Sequence, residues 1–437
     1  MRYFVACLFL AACFALSGTA DSAQAATYQV GPSRTYKKLQ DVAPLLAPGD
    51  LVEVDGGATY PGDLVFTVPG TPTGKITIRG LRVNGQRPVL SGGTNTVEFR
   101  LSNHYVFEGF DVTGGTFRGI YHHAHDITVR DTVVHDCPAH GILGADTDSG
   151  SLTLEYVEVY NCGAGTGQHP VYMATDEFKY PGAVFRMQYC YLHDQRGGNN
   201  VKSRAERNEI YYNWISGGFY GELELIGPDP QGNRNVTTDT KREDSDVVGN
   251  VLQHKATQGT RMVRVGSDGT GQTKGRYRFV NNTFILRQGQ VSPAFEIFEG
   301  IDSLEVHNNV FYRPGNEPID KVVLETRVRW VAGRVSVGTN NWLPVGSALI
   351  PTGWTNTVFG TDPGFVNLTA LDLRPAAGSA LIGAGNNAPA SPAGHPFINP
   401  LWPPAFHPPP HTLLAVGTAA PRPSDGLIDI GAYEYAP

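Results

Sequence analysis

The stretch GGNNVKSRAERNEIYYNWISGGFYGELELIG, residues 197–227, decides the fold class. It contains three short segments that favour strands, at 201–204, 210–215 and 222–225, separated by turns of Gly and Asn. Short segments with turn residues between them are typical of β-strands. Ionisable side chains recur on one face of these strands, which indicates one coil of a stacked β-solenoid that carries a site.

Similar coils recur along the chain. An apolar–x–x–anchor–x–apolar pattern repeats at intervals of 22 to 37 residues, and periods of this size indicate stacked units rather than one compact core. The anchor positions are Leu81, Phe110, Thr132, Val157, Cys190, Asn213, Asn250, Asn282 and Asn309. The last four anchors are all asparagines, which predicts a ladder of hydrogen bonds from coil to coil along the axis. About nine coils at a strand spacing of ~4.8 Å make a rod roughly 40 Å long.

The two ends of the array have patterns of their own. Apolar residues at helical spacing within residues 36–46 (Leu39, Val42, Leu45 and Leu46) predict a short helix that covers the open N-terminal edge. From about Ser336 the coil pattern is lost, and the proline-rich residues 388–422 are expected to wrap the outside or hang loose. The ending Gly426–Tyr435 is apolar enough to pack back.

The first residues have the parts of a secretory signal. Arg2 precedes an apolar run that ends at Leu16, and residues 23–25 form an A-x-A cleavage site. A lipoprotein signal that uses Cys13 is the alternative. We therefore divide the chain into a signal peptide (1–25), a β-helix with its N-terminal cap (26–335) and a C-terminal cap (336–437). No later stretch reaches the roughly 18 apolar residues of a membrane span, so we expect a secreted or periplasmic protein.

Composition supports this division. The 437 residues include 41% hydrophobic and 17% charged residues, with 52 Gly and 31 Pro, as expected of a turn-rich, all-β protein. The net charge of −7 argues against general nucleic-acid binding but not against a local basic groove. We expect a monomer. Cys137 and Cys162 lie five residues after their anchors, where a disulfide would be strained, so we predict stacked free thiols.

The export signal, the capping helix, the coil pattern and the ending DIGAYEY together resemble the right-handed parallel β-helix proteins of the pectate lyase superfamily. The resemblance covers most of the mature chain and implies the fold. It implies less about the reaction, because this fold hosts lyases, hydrolases, epimerases and non-enzymatic adhesins.

Candidate chemistry lies on the strand between consecutive anchors. These strands read GIYHH (119–123), HGILG (140–144), HPVYMA (169–174), NVKSR (200–204), ELELIG (222–227) and RMVRVG (261–266). Stacked coils turn equivalent positions into one outer face, which we expect to carry some of the following residues: His140, His169, Tyr172, Lys202, Arg204, Glu222, Glu224, Arg261 and Arg264. Counting from the anchors pairs His169 with Lys202, whereas matching the apolar residues pairs Tyr172 with Lys202.

Such a face suits β-elimination on a uronic-acid polysaccharide. The reaction needs a cation for the sugar carboxylate, a base for the C5 proton and an acid for the leaving oxygen. We predict Lys202 as the base, if Arg204 and partial burial favour its neutral form, and Tyr172 or His169 as the acid.

The remaining residues of the face are expected to hold the substrate. Arg204, Arg261 and Arg264 would pair with its carboxylates, and His140 and Asn200 would contact the sugar. Alternatively, Glu222 and Glu224 bind a Ca²⁺ ion that neutralises the carboxylate. In a purely structural interpretation, these glutamates pair with Lys202 and Arg204 across coils.

The segment Asn200-Val201-Lys202-Ser203 is similar to the Asn-Lys-Ser stretch of the chondroitinase B and alginate lyase family, in which the lysine is the base. This sequence has one inserted valine. It also has Glu222-Leu223-Glu224-Leu225-Ile226 where the family carries an arginine acid. The resemblance thus implies a base at Lys202 but no acid.

We therefore predict a polysaccharide lyase that acts on an acidic polysaccharide. A non-catalytic glycan-binding or structural protein of the envelope is the alternative, followed by a hydrolase or an epimerase. A hydrolase would need a carboxylate pair such as Asp146 and Asp148.

Overall fold

Strands of successive coils pair in parallel along the chain. The computed structural model describes residues 25–227, 243–255, 261–268, 273–327, 330–396 and 403–436. Apart from Ala25, the predicted signal peptide lies outside the described residues. The helices within these ranges lack the length and apolar character that a membrane crossing requires.

Most coils contribute two strands to one long parallel sheet, which we call the bent sheet because it turns a corner at the anchor positions. Its 23 strands among the described residues are Thr27–Val30, Leu51–Asp55, Thr59–Pro61, Ile76–Leu81, Val89–Ser91, Tyr105–Glu108, Asp111–Thr113, Ile127–His135, Leu152–Tyr160, Val184–Gln188, Tyr191–His193, Arg207–Tyr211, Trp214–Ser216, Asp244–Val248, Val251–Gln253, Arg276–Val280, Thr283–Ile285, Ser303–His307, Val310–Tyr312, Ser336–Thr339, Trp342–Pro344, Trp354–Thr355 and Val358–Gly360.

The third strand of a coil belongs to a second parallel sheet, which we call the site sheet. Its ten strands among the described residues are Leu64–Phe66, Asn95–Arg100, Arg118–His123, His140–Gly144, Val171–Ala174, Asn199–Arg204, Gly221–Ile226, Val263–Gly266, Phe295–Ile297 and Val323–Glu325. The strands Phe365–Asn367 and Asp372–Pro375 form a separate antiparallel pair. The predicted all-β solenoid is confirmed, and it has more than the nine coils predicted, because the site sheet alone takes one strand from each of ten coils among the described residues.

Alternating side chains build the core. Inward residues of both sheets form one apolar cluster that extends along the rod from Val30 to Trp354. Aromatic rings stack within it: Phe284 and Phe311 lie 4.7 Å apart at an interplanar angle of 5°. Because every inward row is covered by the next coil, burial of apolar surface stabilises the stacking itself. The thiols of Cys137, Cys162 and Cys190 are buried here and free, as predicted for the first two.

A left-handed residue precedes eight of the nine anchors, all but Leu81, and lies at the corner of the bent sheet. From the coil of Asp131 onward these residues have φ between 48° and 68°, and they are Asp131, Tyr156, Tyr189, Tyr212, Gly249, Asn281, Asn308 and Asn340. Glycine and asparagine adopt this conformation at low cost. The chain turns here, and the anchor side chain that follows is buried inside the corner.

The predicted asparagine ladder runs through this corner. Asn213 donates to Asn250 Oδ1 from its backbone N at 2.8 Å and from its Nδ2 at 2.9 Å. The same two bonds join Asn250 to Asn282, Asn282 to Asn309, and Asn309 to Asn341. The ladder is therefore confirmed and is one residue longer than predicted.

The predicted N-terminal helix forms as two short 3-10 turns, Leu39–Asp41 and Ala43–Leu45. Pro44 has no backbone N–H, so a longer hydrogen-bonded helix does not continue through it. Three of the four predicted apolar residues are buried, whereas Leu45 is 49% exposed. The turns contact the strand Leu64–Phe66 and cover the first coils.

The stack continues past residue 335, where the sequence pattern ends, because four further strands up to Val358–Gly360 pair with the bent sheet. The C-terminal residues then pack back onto the outer surface of this sheet, as predicted. Ile430 and Tyr433 join Trp214 and Trp342 in a second apolar cluster. The described part of the proline-rich segment also lies against the rod, through Phe406.

Candidate active site

Alternation along the site sheet positions the candidate site. In the strand Asn199–Arg204 the apolar side chain of Val201 is buried in the core. Because successive side chains of a strand point to opposite faces, that of Lys202 points outward. The strand register pairs Lys202 with Tyr172 on one neighbouring coil and with Glu224 on the other. It then pairs Glu224 with Arg264. Of the two registers that the sequence left open, the structure has the one with Tyr172 beside Lys202.

Lys202 lies between two carboxylates. Its Nζ is 3.7 Å from Glu224 Oε2 and 3.6 Å from Asp268 Oδ2. The Nζ also lies 5.2 Å from the ring centroid of Tyr172. Two anions and a ring face at these distances stabilise a positive ammonium group. The Lys202 side chain keeps 12% of its surface exposed, so a ligand can reach it.

Arg204 fixes the Tyr172 hydroxyl. Its Nε donates to Tyr172 Oη at 3.0 Å, its Nη2 donates to Asp268 Oδ2 at 2.8 Å, and its Nη1 donates to the Gly227 carbonyl. The guanidinium is almost completely buried, with 4% of its side chain exposed. A hydrogen bond from a buried cation stabilises negative charge on the Tyr172 oxygen.

Two arginines of a following coil complete the network. Arg264 donates to Glu224 Oε1 and to Asp268 Oδ1, both at 2.7 Å, and Arg261 Nη2 donates to Glu224 Oε1 at 3.2 Å. Burial alone would raise the pKa of the Asp268 carboxyl, but Lys202 and the arginines outweigh burial and hold this pKa below its ordinary value. Each of the four cations of the site thus has a carboxylate of the protein as a partner, although the carboxylates are shared.

A groove opens over this network. Its lining residues are Thr166, Asn199, Lys202, Tyr220, Glu224, Arg261, Arg264, Asp268, Glu296 and Phe298. The guanidinium of Arg261 lies 4.7 Å from the Tyr220 ring centroid, and that of Arg264 lies 4.0 Å from the Phe298 ring centroid. Rings beside cations can bind the face of a sugar and its carboxylate together.

His140 and His169 lie beside Tyr172, and a backbone N–H occupies the Nδ1 of each. The His169 N–H donates to His140 Nδ1 at 3.1 Å, and the Asn199 N–H donates to His169 Nδ1 at 3.0 Å. The proton of the neutral His169 ring is therefore on Nε2, whereas His140 Nδ1 also lies 3.2 Å from the His169 carbonyl oxygen, so its contacts allow either tautomer. Burial lowers the pKa of His140 to about 4 and that of His169 well below its usual range, and the Lys202 charge adds to both effects. Both rings are neutral hydrogen-bond donors at neutral pH.

Glu222, a candidate for the outer face, and Asn200, a candidate sugar contact, do not lie on that face. Both are completely buried. Asn200 Nδ2 donates to Glu222 Oε2 and to the Ser216 carbonyl, each at 2.8 Å, and the Gly218 N–H donates to Glu222. The turn at residues 216–218, which leads to the strand Gly221–Ile226, covers both side chains through these bonds. His254 Nδ1, 3.4 Å from Glu222 Oε1, closes the cluster.

A calcium site on Glu222 and Glu224 does not fit this arrangement. Glu222 is enclosed with Asn200, whereas Glu224 is bonded to Arg261 and Arg264. The two carboxylates thus have separate partners, and the guanidinium groups already balance the charge of Glu224. Within the described ranges no group of three or more His, Cys, Asp or Glu residues could hold a metal ion.

Sequence reasoning missed several residues of the groove. Asn199 donates to Glu224 Oε2 at 2.6 Å, and Asp268 bridges Lys202 to two arginines. Glu296 could have been found by extending the register, because it pairs with Arg264. Asp268 lies in a turn after its strand and follows no repeat.

The aspartates at 146 and 148 give no support to a hydrolase. Asp148 Oδ1 lies 2.6 Å from Lys179 Nζ, and both side chains are about two-fifths exposed at an outer turn. Neither aspartate lines the groove.

Comparison with known proteins identifies the fold. No family model and no curated protein matches the chain. Among solved structures, a pectate lyase, Pel9A, aligns with a TM-score of 0.50 at 13% identity, over 94% of this chain and 96% of that one. A rhamnogalacturonan lyase aligns with a TM-score of 0.52 at 15% identity, over 79% of this chain and 92% of that one. Likeness at such identities concerns architecture alone, and the chain folds as a right-handed parallel β-helix of the pectate lyase type.

Proposed function

We propose that the protein is a polysaccharide lyase that cleaves a uronate-containing polysaccharide by β-elimination in this groove. The observation that carries the proposal is the pairing of Tyr172 and Lys202 in register, with Arg204 bonded to the tyrosine hydroxyl. The aromatic and arginine lining supports an acidic sugar as the ligand, and the fold similarity to two lyases supports the reaction class. The signal pattern in residues 1–25 supports action outside the cytoplasm.

The contacts favour a division of roles that differs from the sequence prediction. Lys202 lies between two carboxylates and over the ring of Tyr172, and these contacts suit a cationic role better than that of a base. We assign Lys202, with Arg264, to neutralising the sugar carboxylate. Tyr172 takes the C5 proton as a phenolate that Arg204 stabilises, and the C–H electrons form the C4–C5 double bond as the C4–O bond breaks. The tyrosine hydroxyl then returns its proton to the leaving oxygen.

His140 and His169 support Tyr172 from the neighbouring positions. The His169 ring meets the Tyr172 ring edge to face, at a centroid distance of 5.4 Å. As a donor at Nε2, His169 can offer a hydrogen bond to a sugar oxygen but cannot accept a proton there.

The test is an ultraviolet assay for unsaturated products on pectate, alginate, glycosaminoglycans and bacterial exopolysaccharides. We expect new absorbance with at least one polymer. Tyr172→Phe should lower the rate by about 10²–10⁴. Lys202→Arg keeps a cation and should retain much more activity than Lys202→Ala.

A matched control is Lys75→Ala, because Lys75 pairs with Asp126 away from the groove. If Lys202→Arg were as inactive as Lys202→Ala while Tyr172→Phe kept its rate, Lys202 would be the base that the sequence predicted. Chelation should leave turnover unchanged; its loss would restore the calcium hypothesis.

One observation favours a second candidate function, a non-catalytic glycan-binding protein. Because the carboxylates of the protein already pair with Lys202, Arg204, Arg261 and Arg264, the face is also stable as a purely structural network. A binding protein would be retarded in polysaccharide gels without releasing products. Reducing ends without new absorbance would instead indicate a hydrolase.

A further inference from the structure

Three coils before Lys202, the site sheet carries an arginine between two aromatic rings. The guanidinium carbon of Arg118 lies 4.0 Å from the ring centroid of Phe117 and 3.9 Å from that of Tyr121. Phe117 is 38% exposed, and the other two side chains are partly exposed. This cluster lies at the strand Arg118–His123, on the outer face that also carries Tyr172.

Arg118 has no carboxylate partner within the part of the chain that the structure describes. Its Nη1 donates to Asn95 Oδ1 at 3.1 Å, whereas its buried Nε donates no hydrogen bond to these residues. The carboxylate of Glu98 on the neighbouring strand is already bonded to Asn95, Arg100 and His123. Burial lowers the pKa of Arg118. Glu98 attracts Arg118 only from a distance, so this partly buried cation has no carboxylate bonded directly to it, and an anionic ligand could supply one.

A row of rings connects this cluster to the candidate active site. Ring centroids lie 5.9 Å apart from Phe117 to His140, 6.3 Å from His140 to His169 and 5.4 Å from His169 to Tyr172. Three strand spacings of ~4.8 Å put Tyr121 ~14 Å from Lys202 along the axis. One sugar ring is shorter than this distance, so a ligand that contacts both places must be an oligosaccharide.

We propose that Phe117, Arg118 and Tyr121 form a remote subsite for a uronate residue of the chain that is cleaved over Tyr172 and Lys202. The sugar stacks on the exposed Phe117 ring, and its carboxylate accepts hydrogen bonds from the Arg118 guanidinium. This inference rests on the proposed function for the substrate class. It adds that the polymer lies along the helix axis and that several sugar residues are recognised at once.

The test measures binding, so that it does not depend on turnover. Calorimetric titrations of the Tyr172→Phe variant would compare dimers and hexamers of galacturonate and of mannuronate. We expect the hexamer of one series to bind more tightly than its dimer. Adding Arg118→Ala should weaken hexamer binding roughly tenfold to a hundredfold, the loss expected for charged hydrogen bonds, and should leave dimer binding unchanged.

Further variants separate the contributions of charge and ring. Arg118→Lys keeps the charge but not the planar fork of the guanidinium. Its hexamer affinity should therefore lie between that of the protein with Arg118 and that of Arg118→Ala. Phe117→Ala should weaken hexamer binding several-fold, because the sugar loses the ring on which it stacks. Arg130→Ala is the matched control, because Arg130 lies on the bent sheet and pairs with Glu108 at 2.5 Å.

The outcomes distinguish the subsite from the proposed function. An active enzyme whose hexamer affinity does not change in the Arg118 variants would overturn the subsite alone. Hexamer binding that depends on Arg118, in a protein that releases no products, would support the subsite and reject the lyase. Failure of both series to bind would overturn the subsite as well.

Discussion

At the scale of single residues, the asparagines of the corner satisfy backbone groups that strand pairing does not reach. Asn250 Oδ1 accepts from the N–H and the Nδ2 of Asn213, while Asn250 Nδ2 donates to the Ile210 carbonyl at 2.9 Å. A sharp corner interrupts the regular strand ladder, so these buried groups need side-chain partners. From the coil of Asn213 to that of Asn341, one residue type therefore closes the turn and joins each coil to the next.

Asn250→Ala should accordingly lower the free energy of unfolding by about 1–3 kcal/mol, because it leaves the buried amide of Asn213 unpaired. Denaturant unfolding followed by circular dichroism measures the change. Asn367→Ala is a suitable control, since Asn367 is exposed and accepts one bond from the Ala370 amide. Equal midpoints for the wild type and Asn250→Ala would contradict this role of the ladder.

The positions of residues that follow the repeat could be predicted from the sequence. The positions and burial of residues that depend on the path of a turn could not. The ladder recurs at a fixed offset from apolar neighbours, so its register was readable in the sequence. The alternation of side chains also predicts that Asn200 and Glu222 point away from the core. It does not predict that a turn covers and buries them. Asp268 depends on the path of a loop, which carries no periodic signal.

At the scale of elements, three neighbouring strands of the bent sheet present a stacked column of rings. The ring of Tyr160 lies 4.9 Å from that of His135 and 5.1 Å from that of His193. His135 contacts Asp111 and Asp136, both at 2.7 Å, and His193 likewise contacts two carboxylates. Parallel register thus repeats one electrostatic arrangement from coil to coil.

This column should make stability depend on pH. Burial opposes protonation of His135, but its two carboxylate partners outweigh burial and raise its pKa to about 9; similar contacts raise the pKa of His193. A raised pKa in the folded state gives stabilisation that is complete below the unfolded value of about 6.5 and is lost as pH rises through about 9.

Calorimetry should therefore show a melting temperature that falls across this window. His135→Gln should flatten the fall, because it removes one of the titrating groups. A variant with the same slope as the wild type would reject the assignment to His135.

At the scale of the whole molecule, the rod is completed by the chain end that follows it. The coils leave an apolar row on the outside of the bent sheet, including Trp214, Val251 and Trp342, and the C-terminal segment covers it. The ending could be predicted to pack back because it is apolar. Its docking surface could not, since it is assembled from residues more than a hundred positions apart along the sequence.

Truncation after Gly360 tests whether this cover is part of the fold. The deletion removes the covering side chains of Leu373, Leu381, Ile430 and Tyr433, each worth about 1.5–3 kcal/mol of burial if fully buried. It also exposes an apolar strip that soluble proteins normally hide. We therefore expect a lower melting temperature, binding of hydrophobic dyes and self-association in size-exclusion chromatography.

A control that removes only residues 436–437 should behave like the full chain, because the covering residues remain. If the truncated rod stayed monomeric with an unchanged melting temperature, the coils alone would account for the stability of the molecule. The C-terminal segment would then be an attachment to the rod rather than its outer wall. Retention of groove binding by such a rod would further show that the site sheet needs no support from the cap, since the described residues that line the groove all lie between Thr166 and Phe298.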